Sequence, residues 1–370
     1  MTPTKQDILK ALQRVKTPSG AALPDAGVLS EIFAADGKVF FSISVGEAEA
    51  KAYEPVRAEA ERVVKAMPGI VGAAVALTAE RKAGQQPPAP PPGANGGARP
   101  AAEKPGIPGV RHIIAVASGK GGVGKSTTAI NIALGLRDLG LKVGLLDADI
   151  YGPSVPRLLG LKGRPTSPGG NKMLPMEAWG LKAMSIGFLV DEDTPMIWRG
   201  PMVMQALTQM MRDVLWGELD VLVVDMPPGT GDAQLTMAQS VPLSGAVIVS
   251  TPQDLALIDA RRGVAMFQKV NIPILGIVEN MSYFIAPDTG KRYNIFGHGG
   301  AKAEAERIGV PFLGEIPLDM MIRENSDAGT PMVAAEPNSP HTAAYRKAAE
   351  QVAAALDRGT VRAAPSIVFE

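Results

Sequence analysis

The stretch Gly119-Lys120-Gly121-Gly122-Val123-Gly124-Lys125-Ser126-Thr127 decides how this chain is read. It fits the pattern G-x-x-x-x-G-K-[ST], in which glycines let the backbone fold round phosphate groups and turn its N–H groups inward. An apolar run, Ile113–Ala117, comes before it, and a helical pattern, Thr127–Leu139, follows. A strand entering a helix through such a loop sets the positive end of a helix dipole against the phosphates. Lys125 is then placed to bridge the β- and γ-phosphates of ATP, and Ser126 to offer its hydroxyl to Mg2+.

Working outward, further apolar runs lie at Val143–Leu146, Val221–Val224, Ala246–Ser250, Ile274–Val278 and Phe312–Ile316. Most are continuous and β-branched, as in strands buried on both faces. Helical patterns such as Leu255 to Val270 separate several of them. The alternation predicts an α/β fold with a doubly wound, mostly parallel sheet. In such a sheet the carboxyl ends of the strands face the ligand crevice. Two sets of acids fall there. Asp147-Ala148-Asp149 ends one strand, and one of the pair has the alternative task of capping the turn Tyr151-Gly152-Pro153-Ser154. Asp225 ends the apolar strand of D-V-L-V-V-D-M-P-P-G-T-G-D (Asp220 to Asp232), the placement of a carboxylate that holds Mg2+. The glycine- and proline-rich loop after it is suited to sensing the γ-phosphate.

Composition breaks sharply once. Residues 81–108 are rich in Pro, Gly and Ala without an apolar period, which predicts a flexible linker. The segment before it, residues 1–80, reads as a small α+β domain. There Thr4 and Asp7 resemble a capping box ahead of Ile8, Leu12 and Val15 at helical spacing. Val39–Val45 alternates like a half-buried strand, Val56 to Met67 returns to helical spacing, and Ile70–Leu77 reads as a last strand. Residues 109–358 form the large domain and 359–370 a tail.

The chain has 370 residues, with 37 basic and 37 acidic side chains and no cysteine. Zero net charge argues against bulk attraction to nucleic acid or anionic lipid. No run is long and apolar enough for a membrane span, and no secretory leader is visible, so the expected location is cytoplasmic. Disulfides and thiolate metal ligands are excluded.

Lys120, second in the loop and first of K-G-G-V-G-K-S-T, makes the loop resemble the deviant Walker A group of dimeric P-loop ATPases, which includes MinD, ParA and the nitrogenase iron protein. The resemblance implies a homodimer in which Lys120 reaches the partner's nucleotide; a solvated loop lysine is the plainer alternative. It further implies that Asp149 positions the attacking water, with Asp147 supporting, and that Asn280 and Pro317 (in Ile316 to Asp319) line the base. Turn chemistry and loop rigidity are the alternatives for those last two. The strings SGKGGVGKST, DADIYGPSVP, WRGPM (Trp198 to Met202), DMPPGTGD and ENMSYF (Glu279 to Phe284) together resemble the Mrp/ApbC branch, iron–sulfur cluster carrier ATPases. The small domain is similar to the SUF-associated domain often fused to them. This implies apo iron–sulfur proteins or assembly factors as partners, and a cluster held by a C-x-x-C pair just after ENMSYF. Here those positions are Ala286 and Thr289, and neither ligates a cluster. Asp288 and His298 are the nearby residues with ligand chemistry; a turn acid and a loop histidine are the simpler readings. A cysteine-free nucleotide switch that binds a protein partner is the alternative function.

Overall fold

The computed structural model describes residues 3–30, 32–35, 38–46, 49–70, 72–80, 106–169, 172–190 and 200–360. Most of the expected linker, Trp198 and Arg199 of WRGPM, and the end of the tail lie outside the described residues. The chain falls into two compact units, residues 1–98 and 99–370.

The first unit contains α1 (Lys5–Leu12), β1 (Phe33–Ala35), β2 (Lys38–Gly46), α2 (Ala50–Lys65) and β3 (Gly72–Glu80). The capping box is formed: Asp7 N–H donates to Thr4 Oγ1 and Thr4 N–H to Asp7 Oδ2. The first helix stops at Leu12, so Val15 lies beyond it, although Val15 is buried with Ile8 and Leu12. β2 is the middle strand, antiparallel to β1 and parallel to β3. Its Val39, Phe41, Ile43 and Val45 point into the core, the period of two expected of a strand with one wet face.

The second unit runs β4 (Val110–Ala117), α3 (Lys125–Asp138), β5 (Val143–Asp147), α4 (Val155–Leu158), β6 (Met176–Ala178), β7 (Leu181–Ser185), α5 (Gly200–Arg212), β8 (Leu219–Asp225) and α6 (Asp232–Ser240). It continues with β9 (Gly245–Ser250), α7 (Asp254–Lys269), β10 (Ile274–Glu279), the short pair β11 (Phe284–Ile285) and β12 (Arg292–Tyr293), α8 (Gly300–Ile308), β13 (Phe312–Glu315), α9 (Met320–Ala328), α10 (Met332–Ala335) and α11 (Pro340–Thr360). The main sheet has eight strands in the order β13-β10-β9-β4-β8-β5-β7-β6. Every pairing is parallel except the edge pair β6–β7.

The continuous apolar runs have their expected cause. Ile113, Ala115 and Ala117 of β4 face the cluster under α5, α6, α7 and α8, while Ile114 and Val116 face the cluster under α3 and α11. Both faces are dry, so alternation is lost. Ile107, placed in the linker by composition, is buried in the first of these clusters. β4 lies between β8 and β9, where the order of strands along the chain reverses. That switch point opens the crevice in which α/β sheets bind ligands, and the glycine-rich loop sits at its mouth.

Candidate nucleotide site

The loop is shaped by two close approaches. A Cβ built on Gly119 would lie 2.2 Å from the backbone of Asp259, so α7 presses directly on the first residue of the loop. Gly124, the N-cap of α3, has φ +79, and a Cβ there would lie 2.1 Å from Asn280 Nδ2. Neither place accepts a side chain. Gly121 and Gly122 face open space instead. Val123 is buried and anchors the loop in the α3 cluster. α3 starts at Lys125, so Lys125, Ser126 and Thr127 form its first turn, where unpaired N–H groups and the dipole favour an anion.

Lys125 does not extend into the loop. Its Nζ bonds Asp225 Oδ1 at 2.5 Å, with the two side chains 7% and 0% exposed, and lies 3.2 Å from Ser126 Oγ. The sheet register makes this pairing possible. Asp225 ends β8 opposite Val116 of β4, directly beneath the loop. Asp225 Oδ2 is buried and has no hydrogen-bond partner among the described residues.

The two acids after β5 divide their tasks. Asp147 is fully buried and accepts from the N–H groups of Asp149, Ser154 and Val155 and from Ser185 Oγ. It is therefore the residue that caps the turn. Burial, and then the neighbouring Asp225 carboxylate, push its pKa up to about 7. Asp149 is half-buried and accepts a 3.2 Å bond from Gly152 N–H, with the Tyr151 backbone N–H also acting on it. Burial raises its pKa, against the opposing pull of Lys125. Lys120 is half-buried and has no ionic partner among the described residues. Its carbonyl accepts from Ser118 Oγ at 2.9 Å.

Asn280 and Pro317 are brought together by two interlocked loops. Ile316 N–H donates to Glu279 O and Ser282 N–H to Ile316 O, at 2.8 and 2.9 Å. Both residues are buried. Asn280 Nδ2 donates to Val123 O at 2.8 Å, a contact with the phosphate loop that no sequence motif marks.

The hairpin β11–β12 carries Ala286 and Thr289 in one turn, closed by Gly290 N–H donating to Ala286 O at 2.8 Å. Asp288 is exposed at its tip. Among the described residues one group, Glu279, His298 and Glu315, has ligand atoms within 4.8 Å of one another. Two of the three already serve a cation. Arg292 Nη2 lies 3.0 Å from His298 Nδ1 and 3.1 Å from Glu315 Oε2, and the guanidinium stacks 3.9 Å above the Tyr283 ring. Because arginine can only donate, His298 Nδ1 accepts there. Glu279 is satisfied by Ser282 Oγ and by the N–H groups of Gly299 and Ala301 at the start of α8. The hairpin is thus clasped by a guanidinium, and no thiolate is present for a cluster.

The iron–sulfur cluster carrier protein of Escherichia coli K12 is 57% identical over 254 residues, covering 68% of this chain and 69% of the relative. A protein of the same description from Synechocystis is 44% identical over 356 residues, covering 95% of this chain and 97% of the relative. A nucleotide-binding protein from Archaeoglobus fulgidus, solved in complex with ADP, is 40% identical with a TM-score of 0.55; the match covers 63% of this chain and 90% of that one. The family model of an iron–sulfur cluster assembly protein matches residues 5–77. Residues 109–353 match the model of the NUBPL iron-transfer P-loop NTPases, and the chain belongs to that family.

Proposed function

We propose that the chain is a Mg2+-dependent ATPase that acts in the cytoplasm in iron–sulfur cluster transfer or assembly onto apo-proteins. The observation that carries the ATPase is the convergence of Lys125 and Asp225 at 2.5 Å beneath the glycine-rich loop. ATP would lie with its phosphates against the loop from Gly119 to Thr127. The backbone N–H groups of Gly121, Gly122, Val123 and Gly124 would hold phosphate oxygens, and Lys125 would leave Asp225 to bridge the β- and γ-phosphates. The donor set fits Mg2+: the orphaned, buried Asp225 Oδ2 and the Ser126 hydroxyl are hard oxygen ligands, and these two residues would hold it. When bound, the ion supplies positive charge to the transferring phosphoryl group. Asp149, half-buried and lightly bonded, would position the attacking water. Asn280 and Pro317 would line the adenine.

Lys120, which has no ionic partner among the described residues, would reach a second copy's nucleotide across a homodimer, as an arginine finger does. The exposed Leu255 and Ile258 at the start of α7, the helix that abuts Gly119, supply an apolar margin for that contact. The iron–sulfur reading rests on relatives that carry that name and on the match of both units to such models. The absence of cysteine favours a specific version of it. A cluster, as cargo, would not be ligated by thiolates of this chain, so the ATPase would act through its partners, as a nucleotide switch that binds an assembly factor or an apo-target. No described helix is long and apolar enough to cross a membrane.

Steady-state phosphate release with and without Mg2+ tests the ATPase. Slow turnover is expected, at least about a hundredfold lower in Lys125→Ala. Equal rates in the two proteins would end this reading. Anaerobic incubation with iron and sulfide tests the partner version; a visible cluster band on the wild-type chain would contradict it.

A further inference from the structure

We propose that Asn280 is a positioning residue for the phosphate loop, in addition to any contact it makes with the base; the inference rests on the nucleotide reading above. Its amide crosses 157 residues of sequence to donate a buried 2.8 Å bond to Val123 O. The peptide between Val123 and Gly124 is planar and trans, so its C=O and N–H point in opposite directions. Fixing the carbonyl on Asn280 therefore fixes the Gly124 N–H towards the other side of the loop. That is one of the donors a phosphate would meet. The contact is also close: the Cβ direction of Gly124 runs to within 2.1 Å of Asn280 Nδ2.

The prop itself is rigid. Asn280 N–H donates to Ser250 O at 2.8 Å, tying it to β9. Glu279 before it is 0% exposed and takes bonds of 2.6, 3.1 and 2.7 Å from Ser282 Oγ, Gly299 N–H and Ala301 N–H. Met281 after it has φ +54, a left-handed conformation that is strained for a side-chain-bearing residue. Such a conformation persists only where the surroundings over-determine it, and here bonds on both sides do so. The same Met281 places its Cε 3.9 Å from the Cβ position of Gly124. The sharp turn Asn280–Met281 is thus built against the loop from behind, in the place where a base reader alone needs no such contact.

A ligand without a base separates the two roles. Tripolyphosphate and ATP are titrated calorimetrically into the wild-type chain and into Asn280→Ala, with thermal melting as the control for folding. The positioning role predicts that Asn280→Ala weakens tripolyphosphate about tenfold, and ATP at least as much, in a chain that still melts cooperatively at a midpoint lowered by only about a few degrees. Wild-type affinity for tripolyphosphate in that variant overturns the proposal and leaves Asn280 as a base contact. Asn280→Asp keeps the shape and an acceptor oxygen but loses the donor, which covers a failure of the alanine variant to fold. Its loss of tripolyphosphate affinity is expected to persist in high salt, where simple charge repulsion is screened. A loss that salt abolishes counts against positioning. A wild-type chain that binds neither ligand would instead remove the nucleotide reading itself.

Discussion

Lys125 and Asp225 form a buried ion pair. Breaking such a pair by deleting one partner costs about 3–5 kcal/mol, so each residue guards the other; in the proposed ATP complex a phosphate and Mg2+ would take over those roles. The motif made both residues legible in sequence, because spacing and strand context specify them. It did not reveal that they face each other, which depends on the register of β4 against β8. Asp147 was harder to read. Its neighbour Asp149 carries the same chemistry, and only the donors gathered round Asp147 mark it as the cap. A third acid had no motif at all. Glu304 on α8 is 7% exposed and is gripped by Arg261 and Arg307, which lower its pKa to about 2. A depressed carboxylate contributes stability above its unfolded pKa and loses it as pH falls through the folded one. Glu304→Gln is therefore expected to lose about 1–2 kcal/mol at neutral pH, allowing for its solvent-facing arginines. Chemical denaturation from neutral pH down through pH 4.5 to about 2 should bring variant and wild type together. A gap that stays constant with pH would assign the loss to packing.

Long, apolar elements were legible because burial on both faces leaves an unbroken β-branched signature, as in β4, β8 and β9. Short ones were not. The pairs β6–β7 and β11–β12 include strands of two to five residues, too brief for a period to register. The hairpin β11–β12 is nonetheless the element where this chain departs most from what its resemblance implied. Its turn sets positions 286 and 289 three residues apart. That spacing suits a pair of thiolates, and the protein supplies Ala and Thr. Restoring the pair should restore the chemistry: Ala286→Cys with Thr289→Cys is expected to take up iron and sulfide anaerobically and show the visible absorbance of a thiolate-ligated cluster. The wild-type chain, treated alongside, should stay colourless. A colourless double variant would mean that the hairpin, and not only its side chains, has left cluster binding behind.

At the scale of the molecule, the unsolved matter in sequence was assembly. Lys120 follows β4 and Asp149 follows β5 in one chain, yet the two are proposed to serve different nucleotides. A mixing experiment separates a shared site from a private one. Lys120→Ala and Asp149→Ala are each expected to be nearly inactive. Combined in equal amounts, they should recover about a quarter of wild-type turnover, since half of randomly formed two-fold dimers are mixed and each mixed dimer holds one complete site. No recovery would place Lys120 in its own subunit's site. The chain falls into two units, residues 1–98 and 99–370, and Ile107, in a stretch whose composition reads as linker, is buried against the large core.

The clasp of Arg292 on Glu315 and His298 has a practical consequence. A hairpin stapled by metal is governed by oxygen and chelators. One stapled by an exposed guanidinium is governed by ionic strength, because mobile ions compete for the same charges. For this hairpin, then, raising the buffer's salt is expected to loosen the clasp, and no thiol of this chain is there for air to oxidise.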